Sequence, residues 1–167
     1  MFNEKQLTRE PEIFKKSIAV YAPVSGLCTS LHALNSSLYS SGLLGPGAAI
    51  TSSSNRITAP FEGKVISVSA LNYSVDIQST YGLKCRVKFG SDTTALCAEQ
   101  FISSLDVGSV FKKNDVLFSV NTAWLKQQNV ENICIMTVLN AQRLLGVLPS
   151  NKKYIDAGSD ALFSVFI

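Results

Sequence analysis

Histidine is nearly missing from this chain: one residue, His32, in 167. Charge is sparse as well, with Asp, Glu, Lys and Arg making up 16% of the residues. The formal net charge of +3 is a mild excess, without the basic run or stripe of a nucleic-acid binder, so no nucleic-acid partner is expected. Four cysteines stand at 28, 85, 97 and 134, none of them in C-x-x-C spacing. With one histidine to join them they do not suggest a tetrahedral zinc site, and no metal or other cofactor is expected. Cysteines without a disulfide framework suit a reducing cytoplasm. No apolar run approaches the ~18 residues needed to span a bilayer. The opening "MFNEKQLTREPEIFKKS" is charged throughout and lacks the apolar core of a secretory signal. Residues 1–17 are expected to form a flexible tail. Phe2, Leu7, Ile13 and Phe14 among its charges allow at most a peripheral membrane or partner contact.

What the chain does have is β-forming sequence, with 46% hydrophobic residues to build a core of ordinary size. "SIAVYAP", "RITAPFEGKVISVSA", "YSVDIQS", "LKCRVKF", "DVLFSV", "ICIMTVL" and "ALFSVFI" are rich in β-branched and aromatic residues, and Gly, Asn, Asp, Ser or Pro separates them. This pattern predicts an all-β domain over residues 18–167, an antiparallel sandwich or barrel-like fold with one or two short helices. One helix is expected in "NTAWLKQQNV", capped by Asn121 or Thr122. An internal echo links "YAPVSGLCTSL" from Tyr21 to "TAPFEGKVISV" from Thr58. Each Ala-Pro should sit at a strand edge, because proline brings no ladder donor. The glycine three residues after each proline is expected to take the open φ of a turn. Two such matching openings point to an internal duplication. "SGLLGPGAAI" is glycine-rich but lacks the Gly-Lys-Ser/Thr of a phosphate loop, and Pro46 has no N–H to offer, so it reads as a loop leading into a strand. Lys112 and Lys113 read as a solvated turn.

The stretch "GLKCRVKFGSDTTAL" draws attention to chemistry. Strand alternation sets Cys85, Val87 and Phe89 on one side and Lys84, Arg86 and Lys88 on the other. Cys85, like Cys134 in "ICIM", reads as a small buried hydrophobe. The plain reading of Lys88 is a solvated strand residue held near Asp92. The functional one is an anion-facing patch for an acidic protein surface, a phosphorylated partner or a sugar phosphate.

"YAPVSG", "SGLLGPGAAI", "APFEGKVISV", "YGLKCRVKFGSDTTAL" and "DVGSVFKKNDVLFSV" occur in the order and spacing of a known family. The chain resembles the glucose-type enzyme IIA domain of the bacterial phosphoenolpyruvate-dependent sugar phosphotransferase system, from Ile18 to about Ile167. The resemblance implies a compact antiparallel β-sandwich in the cytoplasm. It also implies a domain that takes a phosphoryl group from a small carrier protein and hands it to a membrane-bound sugar permease. The family's acceptor histidine opens a motif reading His, hydrophobic, Gly, hydrophobic, Asp, Thr. Here Lys88, Phe89, Gly90, Ser91, Asp92 and Thr93 hold those positions, so lysine replaces the acceptor. The second active-site histidine of the family falls on Tyr73, and a nearby threonine on Leu71. His32 falls on neither position.

The substitutions matter through pKa. Imidazole, near 6.5, is largely a neutral nucleophile at neutral pH, whereas free lysine, near 10.4, is almost wholly ammonium. The resemblance therefore implies a divergent member without an active phosphoryl acceptor, a regulatory or scaffolding module that binds a protein partner, acidic or phosphorylated, or another component of the system. Its expected binding face comprises Tyr39, Ser69, Leu71, Tyr73, Lys84, Arg86, Lys88, Asp92 and Thr94. The alternative is a working phosphocarrier with a non-standard acceptor. A biotinyl- or lipoyl-type carrier is set aside because Lys88 lies inside a strand, and a lysostaphin-like metallopeptidase because one histidine is too few.

Overall fold

The computed structural model describes residues 4–167. The strands are Ser17–Tyr21 (β1), Gly26–Thr29 (β2), Gly47–Thr51 (β3), Arg56–Thr58 (β4), Gly63–Ser69 (β5), Ser74–Ser79 (β6), Lys84–Phe89 (β7), Val110–Phe111 (β8), Val116–Ser119 (β9), Ile133–Val138 (β10), Gly146–Pro149 (β11), Tyr154–Ile155 (β12) and Ala161–Phe166 (β13). Two short helices join them, Ser37–Ser40 (α1) and Thr122–Gln127 (α2). In α2 the Asn121 side chain accepts from Trp124 N at 3.0 Å, the cap expected from sequence. The strands named above pair antiparallel throughout. The large sheet runs β12-β2-β3-β10-β7-β6-β5-β8, and the smaller sheets are β1-β13-β11 and β4-β9. The large sheet ends in the open edges β12 and β8, so the fold is a sandwich and not a closed barrel.

The order of the large sheet is symmetric about the β10–β7 pair: β3 answers β6, β2 answers β5, and β12 answers β8. The small pairs β1-β13 and β4-β9 answer each other in turn. The duplication in the sequence is thus a pseudo-two-fold in space, with residues 56–119 forming one contiguous half. Both Ala-Pro steps directly follow a strand, β1 and β4. Ala22 exchanges backbone bonds with the turn at Gly158 and Asp160, and Ala59 does so with the turn at Asn114 and Asp115. The echoed glycines depart from expectation. Neither Gly26 nor Gly63 has a positive φ. A Cβ on Gly26 would lie 2.0 Å from the Thr51 carbonyl oxygen, and one on Gly63 2.0 Å from that of Gln78. Close approach of the neighbouring strand, not a turn, requires glycine at both.

The inner face of the large sheet packs with the small sheets into one core, in which Cys85, Val87 and Phe89 meet residues such as Phe118 and Phe163. On the outer face a smaller cluster forms where Leu31 and Tyr39 cover Ala49, Ile133 and Ile135. This cover lies over β3 and β10 and borders a recess over β6 and β7.

The N-terminal segment, expected as a flexible tail, is docked from Lys5 onward. Gln6 brackets Gly47, its Nε2 donating to the Gly47 carbonyl (3.0 Å) while its Oε1 accepts from Gly47 N (2.8 Å). Leu7 N donates to Val147 O and Val147 N to Lys5 O. Phe14 meets Phe166 edge-on at 4.9 Å between ring centroids. Exposed carbonyl and amide groups of β3 and β11 offer ladder partners that a charge pattern in the sequence does not reveal. Leu7 and Phe14 thus spend their apolar surface on the domain, Ile13 stays exposed, and Phe2 lies outside the described residues.

Candidate functional site

β7 places Arg86 and Lys88 on the outer face of the large sheet, as its alternation requires. The cross-strand partner of Lys88 is Ser74, and that of Arg86 is Asp76. With the cover from α1 these residues enclose a cavity of about 660 Å³. Its floor is Ser74, Asp76, Arg86 and Lys88. Tyr39 and Leu44 form one wall, and Ser67, Ser69 and Asn72 another. Ser91, Asp92 and Thr94 close the end.

Lys88 is not the solvated residue that alternation alone suggests. Only 8% of it is exposed, its side chain lying between the cross-strand neighbours Ser74 and Ile135. Its Nζ donates to the Asn72 carbonyl at 2.6 Å. Among the described residues no carboxylate forms an ion pair with it. Burial lowers its pKa to about 8; the nearby Asp92 charge opposes the shift and Arg86 adds to it. Asp92 is exposed, and its Oδ1 accepts from the Thr94 hydroxyl (2.9 Å) and the Thr94 N–H (3.2 Å). Those bonds from Thr94, hydroxyl first, hold its carboxyl below the usual range. Arg86 is spent differently: its Nε and Nη2 donate to the two Asp76 oxygens at 2.8 and 2.9 Å. The fork-to-fork geometry fixes both side chains.

The expected line of three cations is therefore broken. Lys84 is exposed at the far end of β7 and does not line the cavity, and Arg86 is neutralised by Asp76. The face is polar and hydroxylated more than it is cationic. Of the expected binding residues, Tyr39, Ser69, Arg86, Lys88, Asp92 and Thr94 come together around the cavity, while Leu71 and Tyr73 do not line it. Leu71 is exposed beside the cavity, its carbonyl accepting from the buried Thr93 hydroxyl at 3.0 Å. Tyr73 is the larger departure. It stands next to Lys88 in the backbone, since Phe89 N donates to Tyr73 O at 3.0 Å. Its side chain, however, points into the core, on the same face as Val75 and Ile77. There it is fully buried, with its ring 5.5 Å from that of Phe101 and its hydroxyl donating to the Glu99 carbonyl. Tyr73 and Lys88 side chains therefore lie on opposite sides of the sheet.

Sequence reasoning missed Ser67, Asn72, Ser74 and Asp76. Asp76 was open to detection: a hairpin closing at Tyr81-Gly82 sets it opposite Arg86. The carbonyl of Asn72 was not, because it depends on the left-handed turn at Tyr73. His32 lies away from the cavity, where its Nδ1 donates to Ser40 O at 3.0 Å and ties the cover together.

The phosphotransferase-system EIIA 1 family model (phosphoenolpyruvate-dependent sugar phosphotransferase system, EIIA 1) matches residues 18–144. The glucose-specific EIIA component of the phosphotransferase system of Borreliella burgdorferi is 24% identical over 159 residues, covering 90% of this chain and 84% of that protein. The raffinose carrier protein of Pediococcus pentosaceus is 30% identical over 125 residues, 75% of this chain but 20% of the carrier's own length. The glucose permease IIA structure from Mycoplasma capricolum shares the fold at a TM-score of 0.73 and 23% identity, over 90% of this chain and 96% of that one. On this match and the sandwich that carries it, the chain belongs to the EIIA 1 family of the phosphoenolpyruvate-dependent sugar phosphotransferase system.

Proposed function

We propose that this EIIA protein does not carry phosphate and instead works as a regulatory or scaffolding module that engages a protein partner around the Lys88 cavity. The observation that carries the reading is the state of Lys88, the residue that the resemblance aligns with the family's acceptor histidine. At pH 7 a group with a pKa of about 8 is ammonium in about nine molecules of ten, and an ammonium has no lone pair to attack phosphorus. Its Nζ is also held by the Asn72 carbonyl. Nor is there a second imidazole to assist. Tyr73, which the resemblance aligns with the other histidine, has its hydroxyl in the core on Glu99. A phosphoryl group on a lysine amine would also be harder to pass on, because an alkylamine is a poorer leaving group than imidazole. The exposed Leu38 and Leu71 beside the cavity offer apolar contact to a protein partner, with Asp92 and Thr94 between cavity and solvent.

One observation favours the alternative of a phosphocarrier with an unusual acceptor. Burial has brought Lys88 within reach of neutrality, and about one molecule in ten presents a free amine at pH 7. The two readings part in a single experiment: incubation with phosphoenolpyruvate and the two general phosphotransfer proteins, followed by intact mass. An unchanged mass is expected; a gain of one phosphoryl group establishes the alternative.

A further inference from the structure

The Lys88 cavity has features that a protein-docking face does not need. Lys88 carries three N–H donors, of which one reaches Asn72. The other two belong to a buried residue that has no carboxylate partner among the described residues and lines the cavity. Arg86, two residues away on the same face, holds Asp76 with Nε and Nη2 and keeps donors on Nη1. Alternate residues of a strand stand roughly 6.6 Å apart, a span that a tetrahedral phosphate can bridge with one oxygen to each cation. The remaining walls are rich in hydroxyls: Ser36, Ser67, Ser69, Ser74 and Ser91 all face the same space. Tyr39 is the one aromatic side chain in the lining, so no pair of flat faces is present to sandwich a nucleobase. A volume of about 660 Å³ falls within the range for small-molecule sites.

We propose that this cavity binds the phosphate monoester of a small polyol, a sugar phosphate, with Lys88 and Arg86 on the phosphate and the serines on the hydroxyls. The inference rests on the reading of Lys88 as a non-acceptor and adds the ligand that would report sugar flux to the protein partner. Nothing covalent is involved.

The test is calorimetric titration of the full chain with glucose 6-phosphate, fructose 1-phosphate and sorbitol 6-phosphate, with glucose and inorganic phosphate titrated in parallel. At least one of the three esters is expected to bind saturably. Glucose and inorganic phosphate should each bind at least tenfold more weakly than that ester. Lys88→Met should weaken the ester at least tenfold, with folding checked by its thermal transition. Ser67→Asp, which adds a negative charge at an exposed wall position and leaves the core intact, should do the same. Absence of binding by all three esters overturns the proposal. So does inorganic phosphate binding as tightly as the best ester, or unchanged affinity in both variants. The mass experiment stays separate: a phosphoryl gain there overturns the non-acceptor reading, while missing ester binding with unchanged mass overturns this inference alone.

Discussion

A buried ammonium without a counter-ion is a stability defect, and Lys88 is one. Its pKa of about 8 in the fold stands against 10.5 in the unfolded chain. Between those values the unfolded state binds more protons, so stability rises with pH through that window. The penalty is fully present below about pH 8, and amounts to about 3 kcal/mol. Lys88→Met keeps the stem and removes the charge. Urea unfolding at about pH 7 should show the variant more stable by about 2–3 kcal/mol, with the gap closing by about pH 10. A gap that is absent, or that widens as pH rises, would show that Lys88 is not desolvated. Alternation in the sequence located Lys88 on the outer face correctly. Its burial was not legible, because the residues around it, Ser74 and Ile135 across the strands and Tyr39 in the cavity wall, come from other segments of the chain. Tyr73 was misplaced for a different reason: the resemblance set it beside Lys88, whereas its parity with Val75 and Ile77 sends it to the core.

Elements that carry a strong pattern, such as β7, β10 and α2, stand where the sequence puts them. β11 and β12 had not been recognised. Each is short and exists through its partners, β13 for one and β2 for the other. The echo at Ala22-Pro23 and Ala59-Pro60 was legible as a duplication, but the role of its glycines was not, since a close interstrand approach leaves no mark in one sequence. Gly63→Ala should therefore lose more than about 3 kcal/mol in urea unfolding, well beyond an ordinary strand glycine, because the carbonyl of Gln78 blocks the new methyl group. The docked N-terminal segment supports a second prediction at this scale. Gln6→Ala strips both backbone partners from Gly47, which is buried. It should lower stability by about 1–3 kcal/mol and speed hydrogen exchange at the Gly47 amide. Unchanged exchange there would mean that the segment does not hold the sheet.

Across the whole molecule the pseudo-two-fold sets equivalent residues in equivalent environments. Cys85 faces Ile77 across β6 and Cys134 faces Ile50 across β3, and both cysteines are buried in the core with thiol pKa values pushed up by burial. Cys97 is exposed and Cys28 half-buried. A thiol reagent should thus modify Cys97 quickly and Cys28 slowly in the native protein, reaching Cys85 and Cys134 only on unfolding. Rapid reaction of all four would contradict the packing. The same symmetry has a break that concerns function: one half contributes Arg86 and Lys88 to the outer face through β7, whereas β10 contributes Ile133 and Ile135, which the cover from residues 31–44 conceals. The recess over β6 and β7 is where that buried amine stands. The account depends on that amine being unable to take up phosphate. Intact mass after incubation with phosphoenolpyruvate and the two general phosphotransfer proteins tests this most directly, with Lys88→Met run beside it. Each chain at its own unmodified mass is the predicted result; one added phosphoryl group on the wild type that disappears in Lys88→Met would contradict it.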